Sequence, residues 1–356
     1  MTNLDTFKID ISKAKQSKIE QVDFDNLAFG RVFTDHMFVC DFVDGVWQQP
    51  KIMPYQTLTI EPSARVLHYG QAVFEGMKAY KDVQGKVWLF RPDQNFNRIN
   101  KSAARLAMPE FPQTFFFKGL EELLKIDHQW IKSGIGNSLY LRPFVIATEP
   151  AIAASPANAY KFMIICSPAK AYYTGKVRVL FAEKYSRSAN GGVGFAKAAG
   201  NYAAQFYPTS LAQKEGFQQV IWTDANTHEN LEEAGTMNTF FRVNDTLLTA
   251  PISDRILDGV TRKSLIQLAE DLNIKCEVRT VTVNEIKTAA RNGELKEIFG
   301  AGTAAVISPI EAFKHGDEVF ELPEVKDSYA DLLKTSMLNI QHNLAEDKHG
   351  WRYEVK

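Results

Sequence analysis

From about residue 30 to 90 apolar and polar positions alternate, the pattern of strands that bury one face. Turns interrupt the pattern at "DFVDGVWQQP" and "YKDVQGKVWLFRP", where alternating residues flank Asp-Gly or Gly. Pro92 and Asp93 then open a predicted helix through "QNFNRINKSAARLAM", with Phe96, Ile99, Ala103 and Leu106 on one face. A second helix is predicted at "GLEELLKIDHQWIKSG". The runs "SLYLRPFVIA" and "YKFMIICSP" are short, apolar and rich in aromatic and β-branched residues, so they read as buried strands. After the crossover "AKAYYTGK" the strand pattern resumes in "KVRVLFAEKY", "GFQQVIWTD" and "MNTFFRVNDTLLTAP", the last with a hairpin turn at Asn244-Asp245. "DGVTRKSLIQLAEDL" predicts a helix with Asp258 as N-cap and Leu265, Leu268 and Leu272 in one stripe. A further helix, "VNEIKTAARNG", precedes the strand pair "EIFGAGT" and "AAVISPI".

Strands and helices mixed in this way predict two α+β domains. Residues 1–25 form a polar, loosely attached extension, 26–168 a first domain, 169–178 a linker and 179–356 a second domain. No internal repeat is visible.

Composition narrows the function classes. Of the 356 residues 45% are hydrophobic and 23% charged, an ordinary globular balance. Lys+Arg 41 against Asp+Glu 42 leaves a net charge of -1, which argues against a nucleic-acid partner. No apolar run reaches the length of a membrane span. The start "MTNLDTFKIDISKAKQSKIE" lacks a secretory hydrophobic block and carries acidic residues unsuited to a transit peptide. The three cysteines form no CxxC pair and the seven histidines no HxxxH pair, so no metal is expected. These features predict a cytoplasmic enzyme or binding protein.

Four places can carry chemistry. Lys197 lies in "GGVGFAKAAGNYAA", but Ala198 follows it where a P-loop needs Ser or Thr. A lone lysine among glycines is usually a surface charge. The alternative is a Schiff-base lysine, whose small neighbours admit a flat cofactor and whose Tyr202 supplies a hydroxyl. Glu232 and Glu233 in "LEEAGTMNTFF" read most simply as a solvated pair. A carboxylate entering an apolar strand can instead be buried and meet a protonated pyridine nitrogen. Gly259-Val260-Thr261 and "GAGT", 300–303, are candidate anion cradles, with Arg98 as a counter-charge. Arg142 shares a strand face with Tyr140, either as an edge charge or ion pair or as a fork for a substrate carboxylate. Together the four supply what pyridoxal phosphate (PLP) needs.

In order along the chain, "FGRVFTDHMF", "LHYGQAVFEGMKAY", "FRPDQNFNRI", "LYLRPF", "GGVGFAKAAGNYA", "EEAGTMN", "LDGVTRKSL" and "GAGTAAVISP" resemble the branched-chain aminotransferases, fold type IV of the PLP enzymes. The resemblance runs from about residue 26 to the end. It implies a two-domain α+β fold like that of D-amino-acid aminotransferase, with a smaller N-terminal α/β domain and a larger C-terminal pseudo-barrel domain. It also implies ping-pong transfer of an amino group between L-leucine, L-isoleucine or L-valine and 2-oxoglutarate. Lys197 would carry PLP and move the substrate's α-proton, Glu233 would pair with the pyridine nitrogen, and Tyr202 with the 3-hydroxyl. Arg98, the backbone around Val260 and Thr261, and Thr303 would hold the phosphate. Backbone amides near Thr236 and Ala304 would take the α-carboxylate. Phe29, Phe74 and Tyr172 would wall the side-chain pocket beside Tyr69 and Tyr140, and Arg142 with those two tyrosines would take glutamate's distal carboxylate. Family members are homodimers, so the loop around Ile152 and Ala154 would close the partner's pocket. Some relatives carry a CxxC after the GT turn, where Ala305 and Ser308 stand here. D-amino-acid aminotransferases and aminodeoxychorismate lyase share the lysine and glutamate, but "FEGMKAY" and the long N-terminal part disfavour both. A PLP-carrying or nucleotide-binding module without catalysis is the rival of another class.

Overall fold

The computed structural model describes residues 8–170 and 177–356. The chain divides into two compact units, Met1–Ala171 with Gln341–Lys356, and Tyr172–Ile340.

In the first unit the alternating pattern becomes an open sheet. Its strands are β1 (Asp10–Ile11), β2 (His36–Val43), β3 (Val46–Trp47), β4 (Lys51–Pro54), β5 (Ala72–Phe74), β6 (Met77–Lys81), β7 (Val87–Phe90), β8 (Ser138–Ala147) and β9 (Tyr160–Ala169). The order is β1-β4-β2-β9-β8-β6-β7, ending at the C-terminal strand Arg352–Glu354, with β3 on β2 and β5 on β8. The β2–β3 turn falls at Asp44-Gly45, both with positive φ as a tight hairpin requires. Leu139, Leu141 and Val145 of β8 point into a core shared with Phe162 and Ile164 of β9. Ile99 and Ala103 of helix α2 and Phe116, Leu120 and Leu123 of helix α3 complete that core. Here α1 is Arg65–Tyr69, α2 Pro92–Arg105 and α3 Gln113–Ile126.

α3 starts six residues before the predicted "GLEELLK" and stops at Ile126, with a separate turn of 3-10 helix at His128–Trp130. Its aromatic start supplies core stripe residues, and Gly119 lets it press on β2, since a Cβ there would come 2.6 Å from the Phe38 ring. The polar N-terminal extension is also less loose than expected. β1 pairs with β4, the Ala14 N–H donates to His36 Nε2 at 2.9 Å, and Ser17 and the Lys18 N–H both bond Asp35.

The second unit wraps its strands into a ring. β10 (Val177–Phe181), β11 (Gln219–Thr223), β12 (Asn230–Ala234), β13 (Asn238–Val243), β14 (Thr246–Thr249), β15 (Lys275–Val278), β16 (Val281–Thr282), β17 (Leu295–Gly302), β18 (Val306–His315) and β19 (Glu318–Glu321) belong to it. The path β13-β17-β18-β10-β11-β12 returns to β13 through Glu233 opposite Asn238, which closes a barrel. β14 and β15 extend it from β13, while β16 and β19 pair with β12 and β18. Helices α4 (Ala199–Ala203), α5 (Phe206–Lys214), α6 (Val260–Asp271) and α7 (Val283–Arg291) connect these strands, and α8 (Tyr329–Gln341) follows the last of them.

The second domain was expected to run to residue 356, but the chain returns to the first unit at Gln341. There Arg352 pairs with Phe90 and Glu354 with Trp88, Tyr353 and Val355 pack on the unit's core, and Trp351 meets the Phe90 ring edge-on. The two units are therefore of comparable length. The expected linker and Tyr172 fall largely or wholly on residues 171–176, outside the described residues.

Candidate active site

In the second unit Lys197 stands half-buried between the buried Ala196 and Ala198, just ahead of α4. One turn later Tyr202 brings its hydroxyl within 2.7 Å of the Lys197 Nζ, which donates to it. The segment is braced from below. Asn201 Nδ2 donates to the carbonyls of Val193 at 2.8 Å and Ala196 at 2.9 Å. A side chain at Gly194 would overlap Ser188 Oγ and the Arg255 carbonyl, so the glycine permits a close crossing of backbones.

Glu232 and Glu233, which the plain reading left in solvent, are both buried. β12 has neighbours on both sides in the ring, and each carboxylate then requires a cation. Glu232 pairs with Arg255. Glu233 Oε1 forms an ion pair with Arg187 Nη1 at 2.7 Å and accepts from the Leu257 N–H at 3.2 Å, while Oε2 accepts from Asn238 Nδ2 at 3.0 Å. Burial pushes the Glu233 carboxyl up; Arg187, the Leu257 N–H and nearby Lys197 pull it back, and burial wins.

Arg187 is the residue that the sequence reading missed. Its guanidinium also donates from Nη1 to the carbonyls of Gly194 at 3.1 Å and Arg255 at 2.9 Å. One buried side chain thus ties the lysine loop, the glutamate strand and the loop leading to α6. Nothing in the polar stretch "YSRSANGG" distinguishes it from a surface arginine.

α6 begins at Gly259, in extended conformation and without a side-chain cap, followed by the buried Val260 and Thr261. Asp258 is not the N-cap that was predicted. It pairs instead with Lys263 Nζ at 2.6 Å, and Leu272 sits at the partly exposed C-cap rather than in the buried stripe. A side chain on Gly259 would overlap Asn238 Oδ1, so the start of the helix lies against the residue that holds Glu233. Thr303 and Ala304 form the β17–β18 turn. That turn lies beside the bend carrying Thr236, whose carbonyl is 3.1 Å from where a Gly302 Cβ would stand.

In the first unit one face of β8 presents Tyr140 and Arg142. Arg142 Nη2 donates to the Tyr140 hydroxyl at 3.0 Å, and its guanidinium carbon lies 4.7 Å from the centre of the Phe74 ring. Phe29 meets Tyr140 edge-on, with centroids 5.0 Å apart. Four expected pocket residues are thereby gathered within this chain. Tyr69 is not among them; it is half exposed and its hydroxyl bonds the Ile152 carbonyl, in the exposed loop that also holds Ala154. Arg98, on α2, is gripped by Glu75, Nε to Oε1 at 2.6 Å and Nη2 to Oε2 at 2.8 Å, and Asn95 joins them at 2.7 Å.

The profile of the amino-transferase class IV family matches residues 72–313. A probable branched-chain-amino-acid aminotransferase of Staphylococcus epidermidis is 46% identical over 347 residues, 96% of this chain and 97% of its own. The branched-chain-amino-acid transaminase 1 of Bacillus subtilis is 42% identical over 342 residues, 94% of this chain and 96% of its own. The chain belongs to the class IV aminotransferases, with the branched-chain-amino-acid aminotransferases. It is therefore a PLP-dependent transaminase. Two solved structures share its fold. The branched-chain aminotransferase of Thermoproteus uzoniensis, solved with norvaline, gives a TM-score of 0.75 at 23% identity over 90% of this chain and 100% of that one. That of Thermobaculum terrenum in its PLP form gives 0.71 at 20% identity over 90% and 98%.

The donors that this aminotransferase collects in its second unit fit the cofactor. A buried carboxylate whose charge is incompletely compensated suits a protonated pyridine nitrogen. The uncapped start of α6 suits a phosphate, and the adjacent amine and phenol suit the carbonyl and hydroxyl edge. Among the described residues no helix is long and apolar enough to cross a membrane, and no three His, Cys, Asp or Glu cluster as metal ligands would.

Proposed function

We propose that this chain transfers the amino group between L-leucine, L-isoleucine or L-valine and 2-oxoglutarate, using PLP held by Lys197. The observation that supports it best is the Lys197–Tyr202 contact at 2.7 Å in the unit that also buries Glu233 against Arg187. When bound, PLP supplies the electron sink that makes the substrate's α-proton removable. Lys197 Nζ takes that proton and gives it back, acting as base and then acid, while the Tyr202 hydroxyl orients the amine. Glu233, paired with Arg187, would hold a proton on the pyridine nitrogen. Arg98, Val260, Thr261 and Thr303 hold the phosphate, and amides near Thr236 and Ala304 hold the α-carboxylate.

Phe29, Phe74 and Tyr140 form the apolar wall, and Arg142 at its edge takes the distal carboxylate of glutamate. Stacking of Arg142 on Phe74 and its bond to Tyr140 support one surface serving both substrates. Leucine, isoleucine and valine are separated only weakly, because one methylene is worth about 1–3 kcal/mol. The working form is a cytoplasmic homodimer in which the loop of Ile152 and Ala154 closes the partner's pocket. The 69% exposure of Ile152 supports that reading. The test is formation of 2-oxo acid and glutamate from each L-amino acid, with D-alanine as control. Lys197→Ala should lose at least about 10⁴-fold, the upper range of acid–base catalysis. Transfer from D-alanine alone, or an active K197A enzyme, would refute the proposal.

A further inference from the structure

Gly76, between β5 and β6, is buried and pinned through both of its backbone groups. Its N–H donates to Glu75 Oε2 at 3.2 Å, and its carbonyl accepts from Asn95 Nδ2 at 3.3 Å. The same Glu75 carboxylate grips Arg98, so this backbone has little room to retreat. Tyr140 closes the other side. A methyl group on Gly76 would overlap the Tyr140 hydroxyl oxygen and lie 3.0 Å from Cζ and 3.3 Å from Cε2. That hydroxyl is the group to which Arg142 Nη2 donates, and among the described residues the buried Arg142 Nε has no hydrogen-bond partner. Phe29 stands edge-on to the Tyr140 ring at 5.0 Å and limits where the ring can go.

We propose that Gly76 is a specificity-determining position: its missing side chain seats the Tyr140 hydroxyl where it aims Arg142 at the distal carboxylate of 2-oxoglutarate. This rests on the reading of Arg142 and Tyr140 as the site of that carboxylate. Gly76 is a positioning residue, acting only through Tyr140. A methyl there displaces the hydroxyl and turns the guanidinium away, which a substrate with a distal carboxylate feels more than an aliphatic one.

The experiment compares wild type, Gly76→Ala, Tyr140→Phe and the double variant. In each, the L-leucine and 2-oxoglutarate half-reactions are measured separately, and the ratio of their kcat/KM values is the readout. The expected result is that G76A and Y140F each move the ratio about tenfold or more against 2-oxoglutarate, as losing a hydrogen bond to a charged group does. The double variant then matches Y140F, because the residue that Gly76 acts through has already lost its hydroxyl. A ratio unchanged in G76A but shifted in Y140F, or additive effects in the double variant, overturns the role of Gly76. A ratio unchanged in Y140F overturns instead the reading of Tyr140 and Arg142 on which it rests. Should G76A not fold, the double variant decides: folding with the ratio of Y140F supports the seat, and failure to fold refutes it.

Discussion

Each unit buries an arginine against a glutamate, and the two pairs differ in what they leave unmet. In the first unit Glu75 is fully buried and saturated: it accepts from Arg98 twice, from Asn95 and from the Gly76 N–H. In the second unit Glu233 also meets an arginine, an amide side chain and a backbone N–H, yet burial still holds its carboxyl above the usual range. Among the described residues its partner Arg187 keeps a buried Nε without an acceptor. A saturated pair holds its cation in place. An unsaturated one remains in need of positive charge, which suits a carboxylate that faces a pyridinium.

The largest expected effect comes from breaking the saturated pair. Glu75→Ala leaves Arg98 buried without its counter-charge and should cost about 3–5 kcal/mol in a urea titration of the apo-protein. The pH profile of the remaining activity should be unchanged, and a shifted profile would mean that the two pairs do not have separate roles. Arg187→Met comes next. It removes the main cation beside a carboxyl that burial already pushes up, so the Glu233 pKa climbs further and the charged form becomes harder to keep. Turnover at pH 7 should fall by about 10²-fold, within the range of a lost electrostatic contact in a dry site, and recover as pH rises. An equal loss at all pH values would make Arg187 merely structural.

Asp224 gives the smallest effect and sets the scale for a carboxylate held without an arginine. Burial pushes it up, but N–H groups of Asn230, Thr227 and Asn226 and the Thr227 hydroxyl bring it down to about 2. A carboxylate with a lowered folded pKa stabilises the protein above its unfolded value, and that contribution is lost as pH falls toward 2. Against the ordinary aspartate value of 3.8 the contribution is about 2 kcal/mol. Asp224→Ala should therefore be less stable than wild type at neutral pH, and the gap should close between pH 4 and 2.

Much of this was legible in the sequence because it depends on local pattern. Asp44-Gly45 and Asn244-Asp245 announced their hairpins, and Asn244 indeed takes a positive φ. The strands β8 and β9 and helix α2 followed from their apolar spacing. What was not legible depends on contacts distant in sequence. The burial of both Glu232 and Glu233 follows from β12 having ring neighbours on each side, which no periodicity records. Arg187 folds back from a polar loop onto a strand 46 positions on, and its spacing from Glu233 carries no signal. The return of Trp351–Glu354 to the first sheet rests on a run too short to show a pattern.

The most direct test of the central claim is the visible spectrum of the PLP-loaded protein, first alone, then with L-leucine, then with 2-oxoglutarate added. The band of the lysine-bound cofactor should disappear with L-leucine and return with 2-oxoglutarate, showing both half-reactions at Lys197. A band that responds only to D-alanine, or no band after PLP is supplied, would contradict it.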